Sequence, residues 1–200
     1  SATNVTMPNA FHFAFLNRGG DSTIGSFVVT CTQKKNAEYL IIGDSQTKRY
    51  RPSSQGLSYI DHLQRKYHAN IEINAGAGNS LIDINTTEVG LYAPKKLVIF
   101  CSTNKIAQTD AATALTELAT FLTAISSVTN ANAPSGYSIA NGNVILCTTL
   151  PRGEAKYPSF NASLITTYGI ANIIDLFASV TDGTNVFPIK YSGDGTHFND

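Results

Sequence analysis

Short apolar runs alternate with longer stretches of helical periodicity along most of this chain. Ala37–Ile42 (Ala-Glu-Tyr-Leu-Ile-Ile) ends at Gly43, the pattern of a buried strand stopped by a turn. Leu57, Ile60, Leu63 and Tyr67 recur at helical spacing, with Gln64, Arg65 and Lys66 on the other face, which predicts a helix over 57–67. Asn70–Asn74 reads as a second short strand, bounded by Gly76-Ala77-Gly78, and Lys96–Cys101 as a third. Asp110 is placed to cap a helix from Ala111 to about Ser127, whose apolar stripe is Leu115, Leu118, Phe121, Leu122 and Ile125. The Asn-, Ala-, Pro-, Ser- and Gly-rich segment 130–143 reads as a surface loop, and Val144–Leu150 as a fourth strand. A single helix is expected from about Phe160 to Val180, followed by a fifth strand candidate at Asn185–Lys190.

Strands alternating with helices over 37–190 imply an α/β fold, a parallel sheet covered on both faces. Right-handed crossovers put the C-terminal ends of all strands on one edge, and ligands of open sheets bind at that edge. Residues 1–36 differ. Ala10–Leu16 and Ser26–Gln33 look like β segments flanking a turn at Arg18-Gly19-Gly20-Asp21. The expected division is therefore a β-rich N-terminal extension over 1–36 and an α/β domain over 37–200. The extension reads either as a hairpin added to the sheet edge or as a remnant of a neighbouring β-rich domain.

Composition narrows the function classes. The 200 residues suit one domain with a small appendage. Hydrophobic residues make up 42%, enough to bury a core, but charged residues only 14%, so the polar surface is built largely from Ser, Thr, Asn and Gln. Such surfaces are commoner in secreted or virion proteins, and an extracellular or phage-virion location is the expectation, with a place in a larger multidomain or virion assembly open. Lysine plus arginine and aspartate plus glutamate both number 14, giving zero formal net charge. Nothing in this balance invites nucleic acid by counterion release. No apolar run approaches the roughly 20 residues of a membrane span. No signal peptide is visible, and Ser1 reads as a processed start, which leaves export open. Cys31, Cys101 and Cys147 each fall within or at the end of an apolar run and read as small buried hydrophobes, with one disulfide left open. Neither Cys-x-x-Cys nor His-x-x-x-His occurs, so no metal is expected.

Four short segments concentrate polar chemistry just after strands or at the chain end: Gly43-Asp44-Ser45-Gln46, Asn74–Ser80, Ser102-Thr103-Asn104-Lys105 and Asp194-Gly195-Thr196-His197. Acyl transfer from an ester needs a nucleophile with an adjacent base, a group that orients the base, and donors aimed at the developing oxyanion. Ser45 follows a buried strand, where a tight turn presents its hydroxyl. His197 can act as base if the chain end folds back over the first strand. Asp194, three residues earlier, can accept from the imidazole Nδ1–H and leave Nε2 facing Ser45. Candidate oxyanion donors are the backbone N–H groups of Ser45 and Gly78 and the side-chain amide of Asn104.

These segments, in this order, resemble the four signature blocks of the SGNH (GDSL-like) hydrolase family. Gly43-Asp44-Ser45 matches the first block. The 74–80 segment is similar to the second, with Gly78 the better match to the donor glycine and Gly76 in reserve. Asn104 falls at the asparagine of the third block, and Asp194-x-x-His197 matches the last. The resemblance covers about 37–200. It implies a three-layer α/β/α sandwich with a five-stranded, flavodoxin-like parallel sheet, and a serine esterase with catalytic Ser45, Asp194 and His197 that needs no cofactor.

Three features depart from the family pattern. Lys105 stands where an aspartate usually follows the asparagine, so the partner that usually sets the posture of Asn104 is absent. Gln46 replaces the leucine after Gly-Asp-Ser. The chain also ends three residues after His197, at Asp200, where family members continue into a closing helix. The expectation is a trimmed chain or a face covered by another segment, the N-terminal β stretch being one candidate.

The expected substrates are short acyl esters, above all O-acetyl groups on a carbohydrate. A lysophospholipase or thioesterase acting on lipid acyl groups is the enzyme alternative. A non-catalytic carbohydrate-binding or virion module is the other. His12, His62 and His68 lack partners and read as surface or half-buried residues. Tyr50, Tyr59, Tyr92, Tyr157, Phe160 and Tyr191 read mainly as packing residues, with a sugar groove open. Arg49, Arg51 and Arg152 are candidates to contact an anionic sugar.

Overall fold

The computed structural model describes residues 36–47, 59–181 and 183, all within one compact unit. Its centre is a five-stranded sheet of β1 (Tyr39–Gly43), β2 (Ile71–Ala75), β3 (Lys96–Phe100), β4 (Val144–Cys147) and β5 (Ile173–Ile174). The order across the sheet is β2-β1-β3-β4-β5, and every neighbouring pair is parallel. This is the flavodoxin-like order expected from the sequence.

Among the described residues, six α-helices accompany the strands: α1 (Tyr59–Tyr67), α2 (Thr86–Tyr92), α3 (Thr103–Gln108), α4 (Ala111–Ser126), α5 (Lys156–Tyr168) and α6 (Leu176–Val180). Strand alternation sends successive side chains to opposite faces. Leu40, Ile42, Leu97, Ile99, Val144 and Leu146 face one way, into a core completed by Val89, Leu118, Phe121, Ile125, Phe160 and Leu164 from α2, α4 and α5. Ile41, Val98 and Ile71 face the other way, against Ile60 and Leu63 of α1. Farther along that second face, Phe100 and Cys147 meet Leu176 and Val180 of α6. The result is a three-layer α/β/α sandwich.

Local signals explain the main elements. The Asp110 carboxylate accepts from the Thr113 N–H at 2.7 Å, so α4 starts where its cap predicts. The 130–143 loop carries more structure than its composition suggests. Tyr137 is fully buried, and its hydroxyl donates to the Pro94 carbonyl at 2.8 Å, which pins the loop beside β3.

One expected element is wrong. Residues 160–180 do not form one helix. α5 begins earlier, at Lys156, and stops at Gly169, whose φ of +79° suits glycine and whose N–H bonds the Ile165 carbonyl. A 3-10 turn over Ile170–Asn172 leads into the β-branched pair Ile173–Ile174, which is the fifth strand. Asp175 then restarts a helix by accepting from the Ala178 N–H at 3.0 Å. The fourth strand likewise ends at Cys147 rather than Leu150. The strand candidate at 185–190 and the β segments of 1–35 lie outside the described residues.

Candidate active site

Strand register sets the geometry of the site. Gly43, the last residue of β1, is level with Ala75 of β2 on one side and Phe100 of β3 on the other. Segments 44–47, 76–80 and 101–104 therefore leave three adjacent strands at the same height. The sheet order reverses between β1 and β3, so this is also the switch point where open α/β sheets bind ligands.

The first segment is a tight turn locked from within. Asp44, only 1% exposed, accepts from the Gln46 N–H on its Oδ1 at 2.9 Å, and its carbonyl accepts from the Thr47 N–H at 3.1 Å. A short polar side chain that bonds its own backbone two residues on is a strong turn former. Gly43 makes the turn possible: a Cβ there would sit 2.0 Å from Thr47 Oγ1 and 2.3 Å from Thr47 Cβ. Thr47 is fully buried, and the Tyr59 hydroxyl at the start of α1 lies 3.4 Å from its Oγ1. Burial pushes the Tyr59 phenol well above its ordinary range, so it stays a neutral donor. Ser45 is half-buried at the head of this turn.

The second segment turns back on itself, the Asn79 N–H donating to the Gly76 carbonyl at 3.1 Å. Gly78 occupies the third turn position with φ +81°, a value that type II turns require and glycine supplies freely. It is exposed, and nothing lies within 4 Å of where its Cβ would be. Gly76 is a glycine for another reason: its missing Cβ would meet the Asn79 side chain at 2.5 Å.

The third segment closes onto the second. Asn104, in the first turn of α3, donates its Nδ2–H to the Asn79 carbonyl at 2.9 Å. The Cys101 thiol reaches the same carbonyl at 3.7 Å. A primary amide carries two N–H donors, so one Asn104 hydrogen remains beyond the bond to Asn79. Behind it, Lys105 Nζ pairs with Glu117 Oε2 at 3.0 Å, and Glu117 Oε1 accepts from the Leu81 N–H at 2.7 Å.

The loop after β4 emerges at the same edge and is held by a buried amide. Asn161 Oδ1 accepts from the Thr149 N–H at 2.9 Å and from Thr149 Oγ1 at 3.0 Å, while its Nδ2 donates to the Thr149 carbonyl at 3.1 Å. Glu117 and Asn161 are absent from the motif reading, and Asn79, inside its second segment, has no role there. Each works through a contact between distant parts of the chain, which leaves no local pattern.

Of the residues singled out in the sequence, Ser45, Gly76, Gly78 and Asn104 lie on these neighbouring loops. Asp194 and His197 lie outside the described residues, as do His12, Arg49, Arg51, Tyr50, Tyr191 and Cys31. His62 and His68 are exposed. Tyr157 and Phe160 are core residues, 2% and 1% exposed, which removes them from a sugar groove. Cys101 and Cys147 are unpaired thiols. Burial raises both, Cys147 to about 12, so neither is a thiolate nucleophile near neutrality. Among the described residues, no group of three His, Cys, Asp or Glu side chains could hold a metal, and no helix is long and apolar enough to cross a membrane.

No protein-family model and no curated protein matches the sequence. Solved structures do match. A Bacteroides fragilis protein that carries an acylhydrolase designation superposes with a TM-score of 0.61 at 20% identity, covering 84% of this chain and 83% of that one. A GDSL-like lipase from Bacteroides thetaiotaomicron gives 0.57 at 16% identity, over 86% and 83% of the two chains. This chain has the fold of the GDSL-like lipases. An acetylxylan esterase from Geobacillus stearothermophilus shares it, with a TM-score of 0.54 at 15% identity over 84% of this chain and 89% of that one. In that GDSL-like frame, the Ser45 turn, the Gly76–Asn79 turn and Asn104 occupy three adjacent loops at the C-terminal edge of the sheet.

Proposed function

We propose that this chain is a serine esterase that removes short acyl groups, chiefly O-acetyl groups from a carbohydrate. The observation that carries the reading is the register that levels Gly43 with Ala75 and Phe100. It supports bringing a nucleophile candidate and two donor candidates together on neighbouring loops of a GDSL-type sheet, as acyl transfer requires of these groups.

In this mechanism, Ser45 Oγ attacks the ester carbonyl while His197 takes its proton. Asp194 orients the imidazole and stabilises the imidazolium. The oxyanion is met by the Ser45 N–H, the Gly78 N–H and the second amide hydrogen of Asn104. His197 then protonates the leaving alcohol. Water, activated by the same imidazole, releases the acyl group and restores Ser45. Each oxyanion donor is worth about 3–4 kcal/mol of transition-state stabilisation in comparable sites.

The acetyl-sugar substrate is supported by the likeness to an acetylxylan esterase and by a sequence poor in charge and rich in threonine and asparagine. The likeness to a GDSL-like lipase favours lipid acyl esters as the second reading. Hydrolysis of p-nitrophenyl acetate by wild type and by Ser45→Ala tests the chemistry. The proposal expects turnover that Ser45→Ala abolishes, and equal rates in the two proteins would refute it. A panel of acetylated xylan, lysophospholipid and acyl thioester then separates the substrates. Preference for either lipid-type substrate would reject the acetyl-sugar assignment.

A further inference from the structure

A buried carboxylate links the two loops that carry the donor candidates, at a distance from Ser45 in sequence and with no place in the reaction itself. Glu117 lies in the middle of α4 with its side chain 10% exposed. Its Oε1 accepts from the Leu81 N–H at 2.7 Å, three residues beyond Gly78. Its Oε2 pairs at 3.0 Å with Lys105, the residue after Asn104, whose side chain is 24% exposed. Asn104 in turn donates to the Asn79 carbonyl. The contacts form a closed ring: Asn79, Asn104, Lys105, Glu117, Leu81 and back along the chain through Ser80 to Asn79.

We propose that Glu117 is a positioning residue for the oxyanion side of the site, acting through Lys105 and Leu81 to fix Asn104 against the Gly78 turn. This rests on the serine esterase reading. The third sequence block here lacks the aspartate expected beside its asparagine and has Lys105 instead. A cation at that position cannot accept a hydrogen bond. It recruits a carboxylate from another helix, and that carboxylate also reaches the loop after β2. The bond from the Leu81 N–H to the carboxylate is charge-assisted and short, and the contact with the Lys105 ammonium is an ion pair that partial burial leaves little screened. A ring closed this way has fewer postures than two loops joined by one amide bond. Donor placement matters steeply, since a shift of about 1 Å can cost roughly 100-fold in rate.

Glu117 also borders a groove of about 380 Å³ between Leu81–Thr86 and α4. Water can enter a truncated site there, so shortening the side chain opens the ring without emptying the main core.

The test compares Glu117→Ala, Glu117→Gln and Lys105→Arg with wild type on p-nitrophenyl acetate, alongside melting temperature and nuclear magnetic resonance of the Leu81 and Asn104 amide protons. Glu117→Ala is expected to lower kcat roughly 10- to 100-fold, with KM changed less than about twofold. The Leu81 amide should exchange faster and the Asn104 side-chain amide should shift, while unfolding stays cooperative. Glu117→Gln, which keeps an acceptor for Leu81 but loses the ion pair, should lie between Ala and wild type. Lys105→Arg, which keeps the pair, should retain kcat within about threefold. Unchanged kcat and unchanged amide signals in Glu117→Ala would overturn the proposal, as would a kcat loss in Lys105→Arg equal to that of Glu117→Ala. If wild type shows no Ser45-dependent turnover, the esterase reading fails by itself. The amide signals then still decide whether Glu117 positions Asn104.

Discussion

The Asn104 side-chain amide donates to the backbone carbonyl of Asn79 at 2.9 Å, joining the loops that follow β2 and β3. Asn79 is also the residue whose side chain occupies the space a Gly76 Cβ would need. One residue thus receives both the third loop and the start of the second. Asn104→Ala removes this bond and the second amide hydrogen together. It should lower kcat about 100- to 1,000-fold, the loss seen when one oxyanion donor is deleted, with KM nearly unchanged. Steady-state kinetics on p-nitrophenyl acetate checks this, and a loss confined to KM would assign Asn104 to ground-state binding instead.

The serine turn depends on the absence of a side chain at Gly43. In Gly43→Ala the new methyl meets buried Thr47, whose Cβ cannot rotate away. Overpacking of this kind costs about 1–3 kcal/mol, and here it also moves the Ser45 turn. We expect lower stability in urea and loss of most activity. The double variant Gly43→Ala/Thr47→Gly should be less destabilised than the sum of its single variants, because each relieves the other. Strict additivity in the denaturation midpoints would show that the two side chains do not collide.

Much of the fold is legible in the sequence because its strands are short, apolar and stopped by polar loops. The runs ending at Gly43 and Cys101, the helix capped by Asp110 and the helix described over Tyr59–Tyr67 all follow from local pattern. The region after Phe160 does not. Its apolar residues fit one long helix, but Gly169 and the Ile173–Ile174 pair break it, and the sheet edge beside β4 rewards that break. The signals were a glycine at the break and Asp175 at a new cap, outweighed by the helical spacing around them. For the site, block order pointed to Ser45, Gly78 and Asn104, whereas their mutual support did not appear. Asn79, Glu117 and Asn161 act across 25, 36 and 12 residues of sequence, respectively, distances that only the folded chain shortens.

The loop after β4 should be the most sensitive part of that edge to a stability measurement. Asn161, 5% exposed, satisfies both the N–H and the hydroxyl of Thr149. Asn161→Ala leaves these buried groups without acceptors, which should cost about 2–4 kcal/mol. Equilibrium urea denaturation reads this directly, and a change below about 0.5 kcal/mol would mean that the loop relaxes to hydrate Thr149.

Acid should weaken the α4 cap. The Thr113 N–H, bonded to Asp110, holds its carboxyl below the ordinary value of 3.8. A folded-state value below the unfolded one favours the fold when the group is ionised. The contribution is therefore fully present above the ordinary value and is lost as pH falls through the lower folded value. Asp110→Ala should melt at a lower temperature than wild type at neutral pH, with the gap closing as pH falls below the ordinary carboxylate value. A gap that stays constant across this range would show that the carboxylate charge plays no part in the cap.

The central claim is that Ser45 is the nucleophile, and covalent labelling tests it most directly. The protein is treated with a fluorophosphonate and the modified peptide identified by mass spectrometry. The account predicts one adduct, on Ser45, accompanied by loss of p-nitrophenyl acetate hydrolysis and absent in Ser45→Ala. An adduct on another residue, or full activity after complete labelling of Ser45, would contradict it.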